Sequence, residues 1–179
     1  MKHVRMPALL TALSTAAAGC GGTPATIDRD AEVAAITTAI EGSIRWCFPD
    51  KSRERLHEHL AKDSSFFMFK PSSTGTIIGH DQFVRYAEEV FFDPRFTPVS
   101  SDIRDLHISL SRGGDAAWFS CFLDDRGIWD GQPVAWLNAR WTGVLEERDG
   151  KWLLVQQHFS LPTDAEEAES AADSASGQT

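Results

Sequence analysis

The sequence predicts an α+β domain, with helices in its first part and a curled antiparallel sheet in its second part. Up to position 91, apolar residues recur at helical steps of three and four. From position 99 onward they follow the two-residue period of β-strands. Helices packed on one face of such a sheet form a cone, and the mouth of the cone is a natural ligand pocket.

The first helix is predicted from one apolar stripe: Val33, Ile36, Ile40, Ile44 and Cys47. Acidic residues cluster at its beginning, where the helix dipole favours negative charge. Pro49 ends the helix, because the residue before a proline disfavours the helical conformation. A short second helix follows, with Asp50 or Ser52 as its N-cap and with Leu56 and Leu60 on its buried side.

Two short strands and a third helix are predicted next. Residues 64–69 and 76–78 are rich in apolar and β-branched side chains, and a turn with proline and glycine separates them. Gly79 opens the third helix. Its apolar stripe consists of Phe83, Tyr86, Ala87, Val90 and Phe91.

Four further strands are predicted at residues 102–110, 116–124, 134–146 and 152–161. Asp149-Gly150 indicates a tight hairpin between the last two strands. Residues 125–133 are predicted to form a loop. The complete order is therefore α-α-β-β-α-β-β-β-β.

Residues 1–20 are typical of an export signal, with a basic start, an apolar run and small residues before Cys20. The end of this segment resembles the lipobox of bacterial lipoproteins, although Ala17 stands where that motif prefers leucine or another branched residue. The resemblance implies that Cys20 is lipidated and becomes the N-terminus. It predicts a protein anchored to the cell membrane or outer membrane, on the periplasmic or extracellular side. A plain secretory signal, a disordered cytoplasmic start and an unmodified Cys20 thiol are the alternatives.

The chain divides into the signal segment 1–20, a tether at 21–27, a folded domain at 28–162 and an acidic tail at 163–179. The tail is too polar to form a core, and we expect it to be disordered. A formal charge of −9 for the whole chain disfavours nucleic-acid binding. Within the domain, Cys47 and Cys121 are expected as buried free thiols. A disulfide between them is the alternative that export would permit.

The hairpin at residues 140–160 resembles the last hairpin of the nuclear transport factor 2-like superfamily, and most closely its SnoaL-like branch. The matching positions are Thr142, Arg148, Asp149, Gly150, Lys151, Trp152, His158 and Ser160. The association domain of calcium/calmodulin-dependent protein kinase type II has the same pattern. The resemblance covers about residues 28–162 and implies a cone-shaped, commonly dimeric domain with a pocket. It implies no single activity, because the superfamily contains isomerases, hydrolases, dehydratases, polyketide cyclases and binding or scaffold proteins.

Strand alternation gives the last two strands one mixed face and one apolar face. The mixed face is predicted to line the pocket of a small organic molecule, anionic or aromatic. Its predicted ligand contacts are Asn138, Arg140, Gln156, His158, Trp118, Trp136 and Trp152. Arg140 would present a planar fork to an anion, and His158 would act as a base, an acid or a hydrogen-bond donor. The alternatives are an ion-paired arginine, a structural histidine and core tryptophans.

The apolar face is predicted to be covered by a second copy of the chain, because it exceeds the apolar patch that monomers expose. Its members are Leu137, Ala139, Trp141, Leu145, Leu153, Val155 and Phe159. The sequence therefore predicts a homodimer through the sheet, with Trp141 near the centre. The alternative places the face of Arg140 on the outside.

The sequence leaves catalysis open. The leading interpretation is an exported binding protein for a small molecule, and the alternative is a lyase or isomerase with His158 as the base and Arg140 stabilising an oxyanion. The catalytic groups of ketosteroid isomerases are not matched, because residues 66–69 contain no acid and Tyr86, the one tyrosine, lies on a helix. A structural dimer module is a third interpretation. The sequence has no phosphate loop or metal-ligand spacing, and it predicts neither a cofactor nor a metal.

Overall fold

The structure is a computed structural model that describes residues 28–71 and 75–163. The helices are α1 (Arg29–Arg45), α2 (Arg53–Leu56) and α3 (His80–Val90). The strands are β1 (Phe67–Phe69), β2 (Thr76–Ile78), β3 (Phe96–Leu110), β4 (Ala116–Trp129), β5 (Gln132–Arg148) and β6 (Lys151–Ser160). The predicted element order is confirmed. The predicted signal segment with Cys20, the tether, and residues 164–179 of the tail lie outside the described residues.

Side-chain caps begin the first two helices. The backbone N–H of Ala31 donates to Asp28 Oδ1 at 3.2 Å, and that of Arg55 donates to Ser52 Oγ at 3.1 Å. Such an oxygen satisfies an amide that has no partner within the helix. Ser52, and not Asp50, is therefore the cap of α2. In the described part of the chain, no helix is long and apolar enough to cross a membrane.

The six strands form one curled, unclosed sheet in the order β2-β1-β6-β5-β4-β3. The pair β1 and β6 is parallel, and the other neighbouring strands are antiparallel. Helix α1 packs on the inner face of this sheet, where it contacts both β3 and β6. The predicted α+β cone is confirmed, with a mixed sheet in place of a purely antiparallel one.

The predicted loop at residues 125–133 is wrong, because β4 and β5 continue as far as a two-residue turn. Asp130 and Gly131 form this turn, with positive φ values of 49° and 77°. The pair Asp149-Gly150 turns in the same way between β5 and β6, with φ values of 54° and 78°. Two positive φ values define the type I′ turn that matches the twist of a hairpin.

The apolar face of β5 and β6 forms the core of the protein, so its prediction as a dimer interface is wrong. Five of its seven predicted members are buried: Ala139, Trp141, Leu145, Val155 and Phe159. They form one cluster with Ile36 and Ile40 of α1. Helices therefore cover the face that the sequence assigned to a partner, and the face of Arg140 lies outside.

A β-bulge in β5 explains part of the error. Asn138 has a φ of 52°, and the pairing of β4 with β5 shifts by one residue between Leu123 and Asp125. One extra residue in a strand reverses the faces of all the residues beyond it. Trp136 therefore shares the inner face with Ala139, whereas simple alternation puts these two residues on opposite faces.

A second bulge lies in β6. Val144 pairs with Gln156 and Leu145 pairs with Leu154, so Val155 has no opposite residue in this register. Leu154 and Val155 are both buried. Beyond the bulge, Gln156 lies on the outer face, which simple alternation does not predict.

Cys47 and Cys121 are buried free thiols. Burial raises the pKa of each thiol to about 12, and the charge of Asp125 adds to this effect at Cys47. Both side chains therefore stay protonated and behave as small apolar residues of the interior.

Candidate functional site

A cavity of about 240 Å³ lies between the helices and the β3–β4–β5 part of the sheet. The segment that ends α1 and the end of α3 supply one side, and the three strands supply the other. Most of the lining residues are apolar or aromatic, and few polar side chains are among them: Cys47, Tyr86, Ser100, Ser101, Asp125 and Arg126. An apolar enclosure with a few polar groups is the usual form of a small-molecule site.

Aromatic rings form a continuous wall of this cavity. Trp46 and Phe91 meet edge to face at 5.5 Å between ring centroids. Phe91 meets Phe96 at 5.7 Å and Tyr86 at 5.7 Å, and Phe96 lies 6.4 Å from Trp129. These rings come from the end of α1, from α3 and from two strands, so tertiary packing assembles the wall.

Gly127 allows Phe96 to take its place in the wall. A Cβ atom at Gly127 would lie 2.6 Å from Phe96 Cε2, which is closer than real carbon contacts allow. Any larger residue at this position would push the ring away from β4. The absence of a side chain at Gly127 therefore helps to set the shape of the cavity.

Asp125 is the acidic side chain that lines this cavity. Burial, together with the smaller effect of the negative charges of Asp102 and Asp124, raises the pKa of its carboxyl group from 3.8 to about 6. A hydrogen bond with the Ser101 hydroxyl acts in the opposite direction and lowers the pKa of Asp125. A carboxyl group that changes its charge near pH 6 in an apolar enclosure is a candidate functional group.

One further polar group of the lining residues, the Trp46 indole N–H, is buried and has no hydrogen-bond partner among the described residues. Ser101 is the cross-strand neighbour of Asp125, and its hydroxyl forms a hydrogen bond with the Asp125 carboxyl group. A buried polar group without a partner costs about 1–3 kcal/mol, so the Trp46 N–H favours a bound molecule that accepts a hydrogen bond from it.

The structure divides the predicted site residues between the two faces of the sheet. Trp136 lines the cavity. Trp152 is buried in the core, and its indole N–H donates to Glu32 Oε2 at 2.7 Å. The other five residues lie on the outer face of the sheet: Trp118, Asn138, Arg140, Gln156 and His158. Their predicted place inside the pocket is wrong because the helices cover the opposite face.

The outer-face residues have contacts of their own. Arg140 Nε donates to Ser160 Oγ at 3.1 Å, and Asn138 Oδ1 accepts from Arg104 Nη2 at 2.7 Å. The His158 ring lies 5.5 Å from that of Phe69, edge to face. Ligand binding by these residues stays a prediction, and it now concerns the outer surface of the sheet.

Sequence reasoning missed Asp125 because it assigned this residue to a loop. The available signal was the uninterrupted alternation of inner-face residues along β4: Ala117, Phe119, Cys121, Leu123, Asp125 and Gly127. Continuing that pattern to the Asp130-Gly131 turn places the carboxyl group inside. Within residues 28–71 and 75–163, no three His, Cys, Asp or Glu side chains lie close enough together to hold a metal ion.

The fold and the cavity define an α+β cone with an apolar pocket between its helices and its sheet. The family model of the SnoaL-like domain matches residues 36–164. The chain therefore belongs to the SnoaL-like domain family, and the predicted membership is confirmed. The comparison with curated proteins gave no match.

Solved structures have the same fold. An NTF2-like protein from Prochlorococcus marinus is 17% identical with a TM-score of 0.58, and the match covers 74% of this chain and 94% of that chain. A type 2 hexachlorocyclohexane dehydrochlorinase is 19% identical with a TM-score of 0.62, and the match covers 76% of this chain and 88% of that chain. The CamKII hub homology domain of Chlamydomonas reinhardtii is 23% identical with a TM-score of 0.52, and the match covers 76% of this chain and 100% of that chain. These identities establish similarity of fold alone.

Proposed function

We propose that this protein binds a small molecule in the aromatic cavity, with Asp125 as the polar group that fixes its orientation. The observation that carries this proposal is the single inward-facing carboxyl group in an otherwise largely apolar enclosure. Membership of the SnoaL-like family supports it, because this family is of the small-molecule-binding or isomerase and dehydratase type. The volume of the cavity favours a molecule with one ring, since an apolar cavity of roughly 150 Å³ holds benzene.

Two tryptophan substitutions test the site. Val134 lines the cavity and is 42% exposed, whereas Ile128, 37% exposed, does not line it. Val134→Trp is expected to obstruct the cavity, and Ile128→Trp serves as the matched control. The measurement is the shift in melting temperature with a set of one-ring compounds that differ in their polar group. Shifts in wild type that vanish in Val134→Trp alone support the site, and equal shifts in all three proteins refute it.

Proton transfer is a second candidate function, and Asp125 is again the reason. A carboxyl group with a pKa of about 6 can accept or donate a proton near neutral pH. One structural neighbour is named as a dehydrochlorinase, so this fold supports an enzyme. In this candidate, Asp125 replaces His158 as the acid–base group of a lyase or isomerase. Turnover of a bound compound that is lost in Asp125→Asn would distinguish an enzyme from a binding protein.

Export and lipid anchoring at Cys20 belong to the same proposal. The basic start, the apolar run and the small residues before Cys20 support them. The mature protein is then a bacterial lipoprotein on the periplasmic or extracellular side of its membrane. Mass spectrometry of the protein from its membrane fraction tests this: a diacylglyceryl group and an acyl chain are expected, and Cys20→Ala should lose both. An intact residue 1 in the purified protein would contradict the proposal.

Dimerisation through the sheet also remains a proposal, now through the outer face. Trp118, Phe122 and Leu137 are exposed there by 52%, 38% and 46%. Large apolar side chains grouped on one exposed face favour association with a second copy. Light scattering tests this with Trp118→Glu, which should produce a monomer. Val33→Glu on α1 is the control, because Val33 is 39% exposed on a helix. A monomeric wild type would refute the dimer.

A further inference from the structure

We propose that the cavity is selective for organic cations, namely one-ring amines whose positive charge meets the Asp125 carboxylate. The inference rests on the proposed function, because it names the class of molecule that the same cavity binds. Two independent features carry it. One is the balance of charge around Asp125, and the other is the aromatic character of the wall.

Two arginines on strands β3 and β4, Arg104 and Arg126, form ion pairs with carboxylates other than Asp125. Arg104 Nη2 lies 3.2 Å from Asp124 Oδ1, and Arg126 lies 3.5 Å from Asp102 Oδ2 and 3.8 Å from Asp124 Oδ2. Asp102 and Asp124 are cross-strand partners, and their carboxylates hold both guanidinium groups. In the described part of the chain, no basic side chain forms an ion pair with Asp125.

The basic residues beside the cavity, Arg95 and Lys51, also have contacts within the protein. Arg95 Nη2 lies 2.8 Å from Asp93 Oδ2. Lys51 Nζ donates to the carbonyl oxygen of Asp93 at 3.0 Å and to that of Phe96. The charge of Arg95 is therefore balanced by Asp93, and the Lys51 ammonium is held by backbone carbonyl oxygens. The carboxylate of Asp125 has no ion-pair partner among the described residues, and a ligand cation would supply one.

The aromatic wall suits a cation as well. Aromatic faces carry partial negative charge and attract ammonium and guanidinium groups within about 6 Å of the ring centroid. Two rings of this wall already bind cations of the protein: Lys51 Nζ lies 5.4 Å from the Phe96 centroid, and Arg95 Cζ lies 4.8 Å from that of Trp129. An anionic ligand would meet the rings and Asp125 with the wrong charge.

The selectivity depends on the ionisation of Asp125. The other titratable residues that line the cavity are Cys47, Tyr86 and Arg126. Burial raises the pKa of Cys47 and Tyr86. Arg126 is paired with Asp102 and Asp124 and keeps its charge throughout this pH range. None of these three groups changes its charge between about pH 5 and pH 7.5. Asp125, with a pKa of about 6, is therefore the group that gains charge in this interval. Amine binding should strengthen as the pH rises, while binding of a neutral ligand should not.

Three probes of similar shape test the inference by calorimetry: 2-phenylethylamine, 2-phenylethanol and phenylacetate. At about pH 7.5, the amine should bind at least about tenfold more tightly than the alcohol or the acid. At about pH 5, where roughly a tenth of Asp125 is ionised, amine affinity should fall by up to about tenfold. Asp125→Asn should remove the preference for the amine. Asp149→Asn removes one negative charge from an exposed turn, and this variant should retain the preference for the amine.

The outcomes separate this inference from the proposed function. If the alcohol or the acid binds as tightly as the amine and Val134→Trp abolishes that binding, the site stands and cation selectivity is overturned. If none of the three probes binds, cation selectivity is likewise overturned. The proposed binding site is then tested separately, by the melting-temperature shifts that the one-ring compounds cause in wild type and in Val134→Trp. The pH comparison uses the wild-type protein, so the inference remains testable if Asp125→Asn does not fold.

Discussion

The backbone N–H of Asn138 donates to Asp124 Oδ1 at 2.8 Å, and this bond holds the bulge that turns Trp136 toward the cavity. Asn138 has a φ of 52°, a region that asparagine tolerates and β-branched residues avoid. The same Asp124 carboxylate accepts a hydrogen bond from the guanidinium group of Arg104. One carboxylate therefore fixes the bulge and holds an arginine on the outer face.

The bulge makes position 138 sensitive to the type of residue. Asn138→Val should lower the free energy of unfolding by about 1–2 kcal/mol, because valine is strained at positive φ. Asn138→Gly retains the backbone N–H and the conformation, so it should change stability by less than about 0.5 kcal/mol. Urea denaturation measures both. Equal losses in the two variants would show that the side chain of Asn138, and not its backbone conformation, matters.

Asp125 should make the stability of the protein depend on pH. Its folded-state pKa of about 6 lies above the ordinary value of 3.8, so the folded protein holds this proton more tightly than the unfolded chain. The contribution is present below about pH 4 and is lost as the pH rises to about 6. Asp125→Asn should therefore gain roughly 2–3 kcal/mol relative to wild type between about pH 4 and pH 7. Chemical denaturation across this range measures the difference, and Asp149→Asn should show no such trend.

His80 should act in the opposite direction. Its Nε2 lies 3.1 Å from His57 Nδ1, and burial followed by the charge of His57 lowers the pKa of His80. The folded protein therefore resists protonation of His80, and its stability is lost as the pH falls below about 6.5. His80→Gln should lose less stability than wild type between about pH 7 and pH 5. Parallel pH profiles for the two proteins would contradict this assignment.

Two tryptophans on opposite faces of the sheet should respond differently to truncation. Trp141 is fully buried and stacks on Phe159 with ring centroids 5.4 Å apart. Trp141→Ala should cost about 3–5 kcal/mol of stability, because it opens a cavity in the core. Trp118 is 52% exposed, so Trp118→Ala should cost less than about 1 kcal/mol in the isolated chain. Urea denaturation at low protein concentration measures both, and a larger loss for Trp118 would contradict the assignment of faces.

The sequence by itself determined the helices, the order of the elements and the family. Helix signals are local: the cap of α1 at Asp28 and the cap of α2 at Ser52 lie within three residues of the amides they bind. The hairpin at residues 140–160 is also local, since a two-residue turn fixes its pairing. Information of this kind survives in a single sequence, and it predicted the confirmed α+β cone.

Only the tertiary structure decided which face of the sheet is the interior. The alternation of side chains along a strand predicts two faces, but it does not predict which face the helices cover. A single bulge also exchanges the faces of all the residues beyond it. The bulge at Asn138 depends on Asp124, which is 14 residues away in the sequence. The cavity depends in the same way on rings from distant segments, so Asp125 gained its environment through packing. Buried chemistry of this kind is set by long-range contacts, which local residue patterns do not encode.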